Sequence, residues 1–179
     1  MTETAASSSS NHYLTFRLGE EMFCMDVANV REVLDITTIT KVPGMPDYMR
    51  GIINVRDTVV PVTDLSLRFG LPEKEKNHET RIIILELISD EESFVAGMMA
   101  DAVHEVKVIE PDQIEKPPKA GSGQQTDYIK GIGKSNGQFI LVLDIEKVFA
   151  SEKEILNDIH ASIQNPESDA ALQSEASFA

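Results

Sequence analysis

The sequence predicts an all-β protein made of small barrels or a sandwich, and three observations carry that reading. The apolar segments are short and bounded by turn residues. Long helical patterns are missing between them, up to residue 150. A block of about twenty residues, beginning at Asp47, recurs eighty positions later at Asp127.

The elements follow in chain order. Residues 1–12, MTETAASSSSNH, are rich in Ser and Thr and read as a disordered leader. They lack the basic and apolar regions of a secretory signal. YLTFRL (13–18) alternates apolar and polar residues as a half-buried strand does, GEE follows as a turn, and MFCMDV (22–27) completes a hairpin. VREVLDI (30–36) is a third strand, and PGMP (43–46) is loop. GIINV and TVVPVTDL form a second hairpin around Arg56-Asp57. Pro61 has no N–H, which places its strand at an edge or interrupts it there.

A charged loop (71–79) leads to RIIILEL (81–87), FVAGMMAD (94–101) and VHEVKVI (103–109). A Pro/Gly/Ser loop (117–125) precedes the last pair, GIGKS and FILVLDI. One true helix is expected, over 151–163, with Ser151 as N-cap, Glu154 completing a capping box, and Ile155, Leu156, Ile159 and Ile163 on the face that packs against the body. The expected divisions are a leader (1–12), a first barrel (13–80), a second barrel (81–150) with exchange of strands between the two allowed, the helix, and a flexible tail (164–179).

The repeat assigns structural jobs. Asp47, Tyr48, Gly51, Ile52, Val62, Asp64 and Phe69 recur without a gap as Asp127, Tyr128, Gly131, Ile132, Val142, Asp144 and Phe149. Upstream, VREVLDI is echoed by VHEVKVI. Two barrels of like strand order explain this most simply. Gly51 and Gly131 open matched strands and read as a backbone requirement. Asp64 and Asp144 read as caps of a short helical turn, and Phe69 and Phe149 as core plugs. One position breaks the repeat. The second hairpin turn is Asn136-Gly137, a type I′ signal, whereas the first presents Arg56.

Charge narrows the partners. The 30 acidic and 16 basic residues give a net charge of −14. Six acids against Lys153 alone put −5 of that in residues 151–179. The body is acidic too, which argues against nucleic acid and anionic lipid, since both attract cationic surface. The four histidines and the single cysteine, Cys24, have no metal-ligand spacing, and no phosphate loop or nucleophile elbow occurs. Cys24 lies in an apolar run and reads as a small buried hydrophobe. No apolar run reaches the ~20 residues needed to span a bilayer. A cytoplasmic, non-enzymatic binding protein without cofactor or metal is expected.

The segments YLTFRLGEEMFCMDVANVREVL, PGMPDYMRGIINVRDTVVPVTDLSLRF and DYIKGIGKSNGQFILVLDIEKVF resemble the CheW family of chemotaxis coupling proteins, over about residues 13–150. The resemblance implies two five-stranded SH3-like barrels side by side and no catalytic activity. It also implies two partners, the regulatory domain of the histidine kinase CheA and the cytoplasmic tip of methyl-accepting chemoreceptors. Carried onto this sequence, the receptor-binding residues are Val30, Glu32, Val33, Gly51 and Arg56. The kinase contact is placed on the first barrel, at Val27 and Ile36. The family usually has glycine after the arginine; here it is Asp57. The free protein is expected to be a monomer, recruited to receptor arrays rather than inserted in the membrane. Two alternatives stand beside it: a coupling protein of a related non-chemotaxis pathway, and an enzyme or small-ligand domain with its site in the seam between the barrels.

Overall fold

Each of the ten expected apolar segments is a strand in the computed structural model, which describes residues 11–72, 75–89, 91–117, 128–150 and 158. These are β1 (His12–Leu18), β2 (Glu21–Asp26), β3 (Val30–Asp35), β4 (Met49–Val55) and β5 (Thr58–Asp64), then β6 (Arg81–Ser89), β7 (Glu92–Ala100), β8 (Ala102–Val108), β9 (Ile129–Ser135) and β10 (Gln138–Leu143). Short helices α1 (Leu65–Arg68) and α2 (Ile145–Ala150) follow β5 and β10. Val27, expected at the end of β2, lies instead in a 3-10 turn over Val27–Asn29. The Asp26 carboxylate accepts the Ala28 N–H at 2.9 Å, and this cap turns the chain out of the strand.

The strands form two five-stranded sheets, β8–β1–β2–β10–β9 and β3–β6–β7–β5–β4. The sheets do not divide at residue 80. Hairpin β1–β2 sits with the last three strands, and hairpin β6–β7 takes β3, β4 and β5 from the first half. Each union is a short parallel ladder, Leu141–Val142 beside Phe23–Cys24 and Val62–Asp64 beside Gly97–Met99. Pro61 is not at an edge, because β5 lies between β7 and β4; it interrupts instead, and the ladder to β7 begins at the next residue, Val62.

Both sheets close on themselves. After β3 the chain returns to β4, at the other end of the sheet, where Thr40 and Ile52 exchange N–H···O=C bonds of 2.9 and 2.8 Å. Glu115 and Ile132 do the same after β8, again at 2.9 and 2.8 Å. Glycine makes these approaches possible. A Cβ on Gly51 would collide with the Thr40 carbonyl, and one on Gly131 with the Ile114 side chain and the Glu115 carbonyl. The result is a side-by-side pair of closed, five-stranded barrels.

The apolar residues sort into three clusters. Cys24, Ile140 and Val142 help fill one barrel, and Ile53, Val60 and Ile82 the other. Between them lies a seam that takes Phe16, Phe23 and Met25 from one sheet and Ile83, Leu85 and Met98 from the other. Hence the unbroken run Arg81–Leu87: Ile82 and Ile84 point into the barrel, while Ile83 and Leu85 point into the seam. Burying one such side chain stabilises by roughly 1.5–3 kcal/mol. Phe16, Leu85 and Met98, all fully buried, therefore supply an amount comparable to the net stability of a small domain. The barrels are one folding unit.

On one side of the seam Arg68 joins the two repeats. Its guanidinium lies 5.2 Å from the ring centroid of Tyr48 and 4.9 Å from that of Tyr128, and Nη2 donates to the Tyr128 hydroxyl at 2.5 Å. The expected caps are present. Asp64 Oδ1 accepts the N–H of Ser66 and Leu67 (3.0 and 3.3 Å), and Asp144 Oδ1 accepts that of Lys147 (3.2 Å). Phe149 is buried, and Phe69 is half-buried and stacked on Phe23. The helix expected over 151–163 lies outside the described residues except for Asp158, which is helical and exposed. The tail lies outside them entirely, and of the leader only Asn11 and His12 are described, His12 as part of β1.

Candidate partner-binding site

The β4–β5 turn has two central residues, and both adopt positive φ, Arg56 at 49° and Asp57 at 67°. The repeat's Asn136 and Gly137 stand at 53° and 80°. Both hairpins therefore carry the same primed turn, which matches the twist of its strands. The first builds it from residues that pay a steric penalty there. Asp57 is held by its neighbours: its N–H donates to Asn54 Oδ1 at 3.0 Å.

Arg56 reaches a carboxylate across the barrel. Its Nη2 is 3.2 Å from Glu32 Oε1, with the arginine side chain 80% exposed and the glutamate 19%. Strand alternation explains the meeting. Glu32 shares the face of β3 with Leu34, which packs on the interior cluster, so Glu32 sits at the barrel rim beneath the turn. The pair presents a cationic tip whose counter-charge is fixed by the scaffold.

The other expected receptor residues separate. Val33 is on the outer face of β3 and 39% exposed. Val30 lies across a bulge from Glu32 and packs against the seam. Gly51 is buried at the barrel closure, at the opposite end of β4 from Arg56. Of the two expected kinase residues, Val27 is half-buried in its 3-10 turn, and Ile36 packs against the interior of the barrel that holds Glu32.

The sequence reading missed three exposed apolar residues on the other barrel, Val106, Val108 and Phe139, at 47, 55 and 65%. Val106 is the repeat of Val33, and that correspondence was the available signal. There the hairpin tip is tied to its barrel differently: Lys107 Nζ donates to Ser135 Oγ at 3.0 Å.

Reactive chemistry is sparse. Among the described residues, no three His, Cys, Asp or Glu side chains are grouped to hold a metal ion. Burial pushes the Cys24 thiol up to about 12, which leaves it protonated and a poor nucleophile. No described helix is long and apolar enough to cross a membrane.

Known proteins resemble this chain in sequence and in fold. Residues 12–153 match the family model of the CheW-like domain. The chemotaxis protein CheW of Bacillus subtilis is 31% identical over 150 residues, 83% of this chain and 93% of that protein. The protein of the same name from Klebsiella aerogenes is 27% identical over 158 residues, 88% of this chain and 93% of its own length. The crystal structure of the scaffolding protein TtCheW from Thermoanaerobacter tengcongensis superposes with a TM-score of 0.69 at 36% identity, covering 77% of this chain and 91% of that one. With four-fifths of its length inside that family model, this chain belongs to the CheW-like domain family.

Proposed function

We propose that this protein is a non-enzymatic, cytoplasmic scaffold of chemotaxis that couples methyl-accepting receptors to the histidine kinase CheA. Its relatives are named as chemotaxis and scaffolding proteins. The observation that carries the coupling reading is the exposed Arg56 held over Glu32 at a barrel rim. A planar guanidinium in that position hydrogen-bonds a polar flank of a helical hairpin, and Val33, exposed on the outer face of β3, offers a separate apolar contact. The kinase contact is placed at Val27 and Ile36, both half-buried. Pull-down of the full chain against the kinase regulatory domain and a receptor cytoplasmic fragment tests this reading. Retention by both is expected; binding to neither overturns it.

A further inference from the structure

Strands β4 and β5 end their pairing at Val55 opposite Thr58, and the next pair inward is Asn54 with Val59. Asp57 lies outside this ladder, so its N–H has no strand carbonyl to reach. The Asn54 carboxamide reaches it instead, with Oδ1 accepting the bond at 3.0 Å. We propose that Asn54 is a positioning residue: by capping the Asp57 N–H it holds this glycine-free turn in its primed form and so sets the direction in which Arg56 is presented. Its role in binding rests on the receptor reading proposed above.

The repeat shows why only one of the two tips needs such a cap. At the second hairpin the place of Asn54 is taken by Lys134, which pairs with Phe139 as Asn54 pairs with Val59. Lysine offers no acceptor, and its Nζ lies 6.0 Å from the Phe139 ring centroid. The turn there is Asn136-Gly137, two residue types that adopt positive φ readily. The first turn demands the same conformation of Arg56 and Asp57, which is a strain for both. A side-chain acceptor three residues back offsets that strain, as asparagine does in turns generally.

Direction follows from turn type. A primed turn matches the twist of its strands, whereas an unprimed one splays them and swings the Cβ of its first central residue. Glu32 cannot follow such a swing: its side chain is only 19% exposed, and its strand is paired to β6 from Val30 to Asp35. A guanidinium–carboxylate contact also constrains the plane of the fork as well as the distance. Loss of the cap therefore loosens the 3.2 Å contact with Glu32 and spreads the arginine over many directions, although the arginine itself remains.

Titration of a receptor cytoplasmic fragment into the full chain tests this with four proteins: the parent, Asn54→Ala, Arg56→Ala and the double variant. Asn54→Ala should bind about fivefold more weakly, within the range that one net hydrogen bond supplies, and should add nothing once Arg56 is alanine. Additive losses overturn the positioning role, because Asn54 would then act on the fragment independently of the arginine. If Arg56→Ala is weakened and Asn54→Ala is not, the positioning role alone falls. If Arg56→Ala binds as the parent does, the receptor reading falls and the role in binding goes with it. The cap has its own measurement, free of any partner. The Asp57 amide should exchange at least about fivefold faster in Asn54→Ala, with the β6–β7 amides unaffected; unchanged exchange at Asp57 overturns the cap.

Discussion

The guanidinium of Arg56 and the carboxylate of Glu32 meet at 3.2 Å, although they belong to the two ends of an otherwise open sheet, the β4–β5 turn and strand β3. The barrel closure brings them together, and the closure therefore decides how the arginine is aimed. With the arginine four-fifths exposed, the pair itself adds little to stability, about 0–1 kcal/mol.

From this, Arg56→Ala should leave the melting temperature nearly unchanged while reducing affinity for a receptor fragment about tenfold, or ~1.4 kcal/mol. Arg56→Glu should bind more weakly still, because it sets a second carboxylate beside Glu32. Calorimetry and a binding titration on the same preparation separate the effects. A large loss of melting temperature would show that Arg56 is structural.

Asp57 occupies a position where glycine has no steric cost. At φ 67° its Cβ is strained, and the backbone N–H bond to Asn54 would be kept by a glycine. Asp57→Gly should therefore stabilise the protein by about 0.5–1 kcal/mol, read as a higher denaturant midpoint at unchanged slope. A loss of stability would mean that the Asp57 side chain makes a contribution larger than its strain.

The ten strands were legible because each is a short apolar run between turn residues, and the turn at Asn136-Gly137 was legible from residue chemistry alone. The repeat made the two barrels legible, and with them the caps at Asp64 and Asp144. Membership of each barrel was not. Nothing in the run Arg81–Leu87 says which of two sheets it joins, since it is buried on both faces. The Glu32–Arg56 pairing was hidden for a similar reason: the two are twenty-four positions apart, and the Thr40–Ile52 bridge helps bring β3 round to β4. Gly51 shows the reverse. The residues read it as a backbone requirement and the family resemblance as a receptor contact; its burial at the closure favours the backbone reading.

The two closures should respond unequally to a methyl group. At Gly51 the obstacle is the Thr40 backbone carbonyl, and φ is +142°. At Gly131 no positive φ adds strain, but the Ile114 Cγ2 methyl and, at 2.9 Å from an added Cβ, the Glu115 carbonyl would both have to shift. Gly51→Ala should cost more than about 3 kcal/mol and Gly131→Ala roughly 1–3 kcal/mol, as overpacking does where neighbours can yield. Any coupling defect of Gly51→Ala should then track its loss of folded protein. Equal losses at the two sites would refute a backbone-limited closure at Gly51.

Asp64 gives a signed prediction in pH. Desolvation raises its carboxyl above the ordinary range and Asp101 adds to this, while the Leu67 N–H, Arg50 and the Ser66 N–H act in opposition. A carboxyl that binds its proton more tightly in the folded state makes folding less favourable as pH rises from the unfolded value through the folded one. Its ionisation is a cost at neutral pH that disappears on acidification. Asp64→Asn keeps the Oδ1 acceptor that caps α1 and removes the charge. The variant should equal or exceed the parent in stability at neutral pH, with the difference shrinking as pH falls toward the ordinary carboxylate range, about pH 4. Urea midpoints of both proteins across that range at constant salt measure it. If instead the parent is the more stable at neutral pH and loses that lead on acidification, attraction to Arg50 and the backbone donors outweighs desolvation, and the carboxyl is lowered rather than raised.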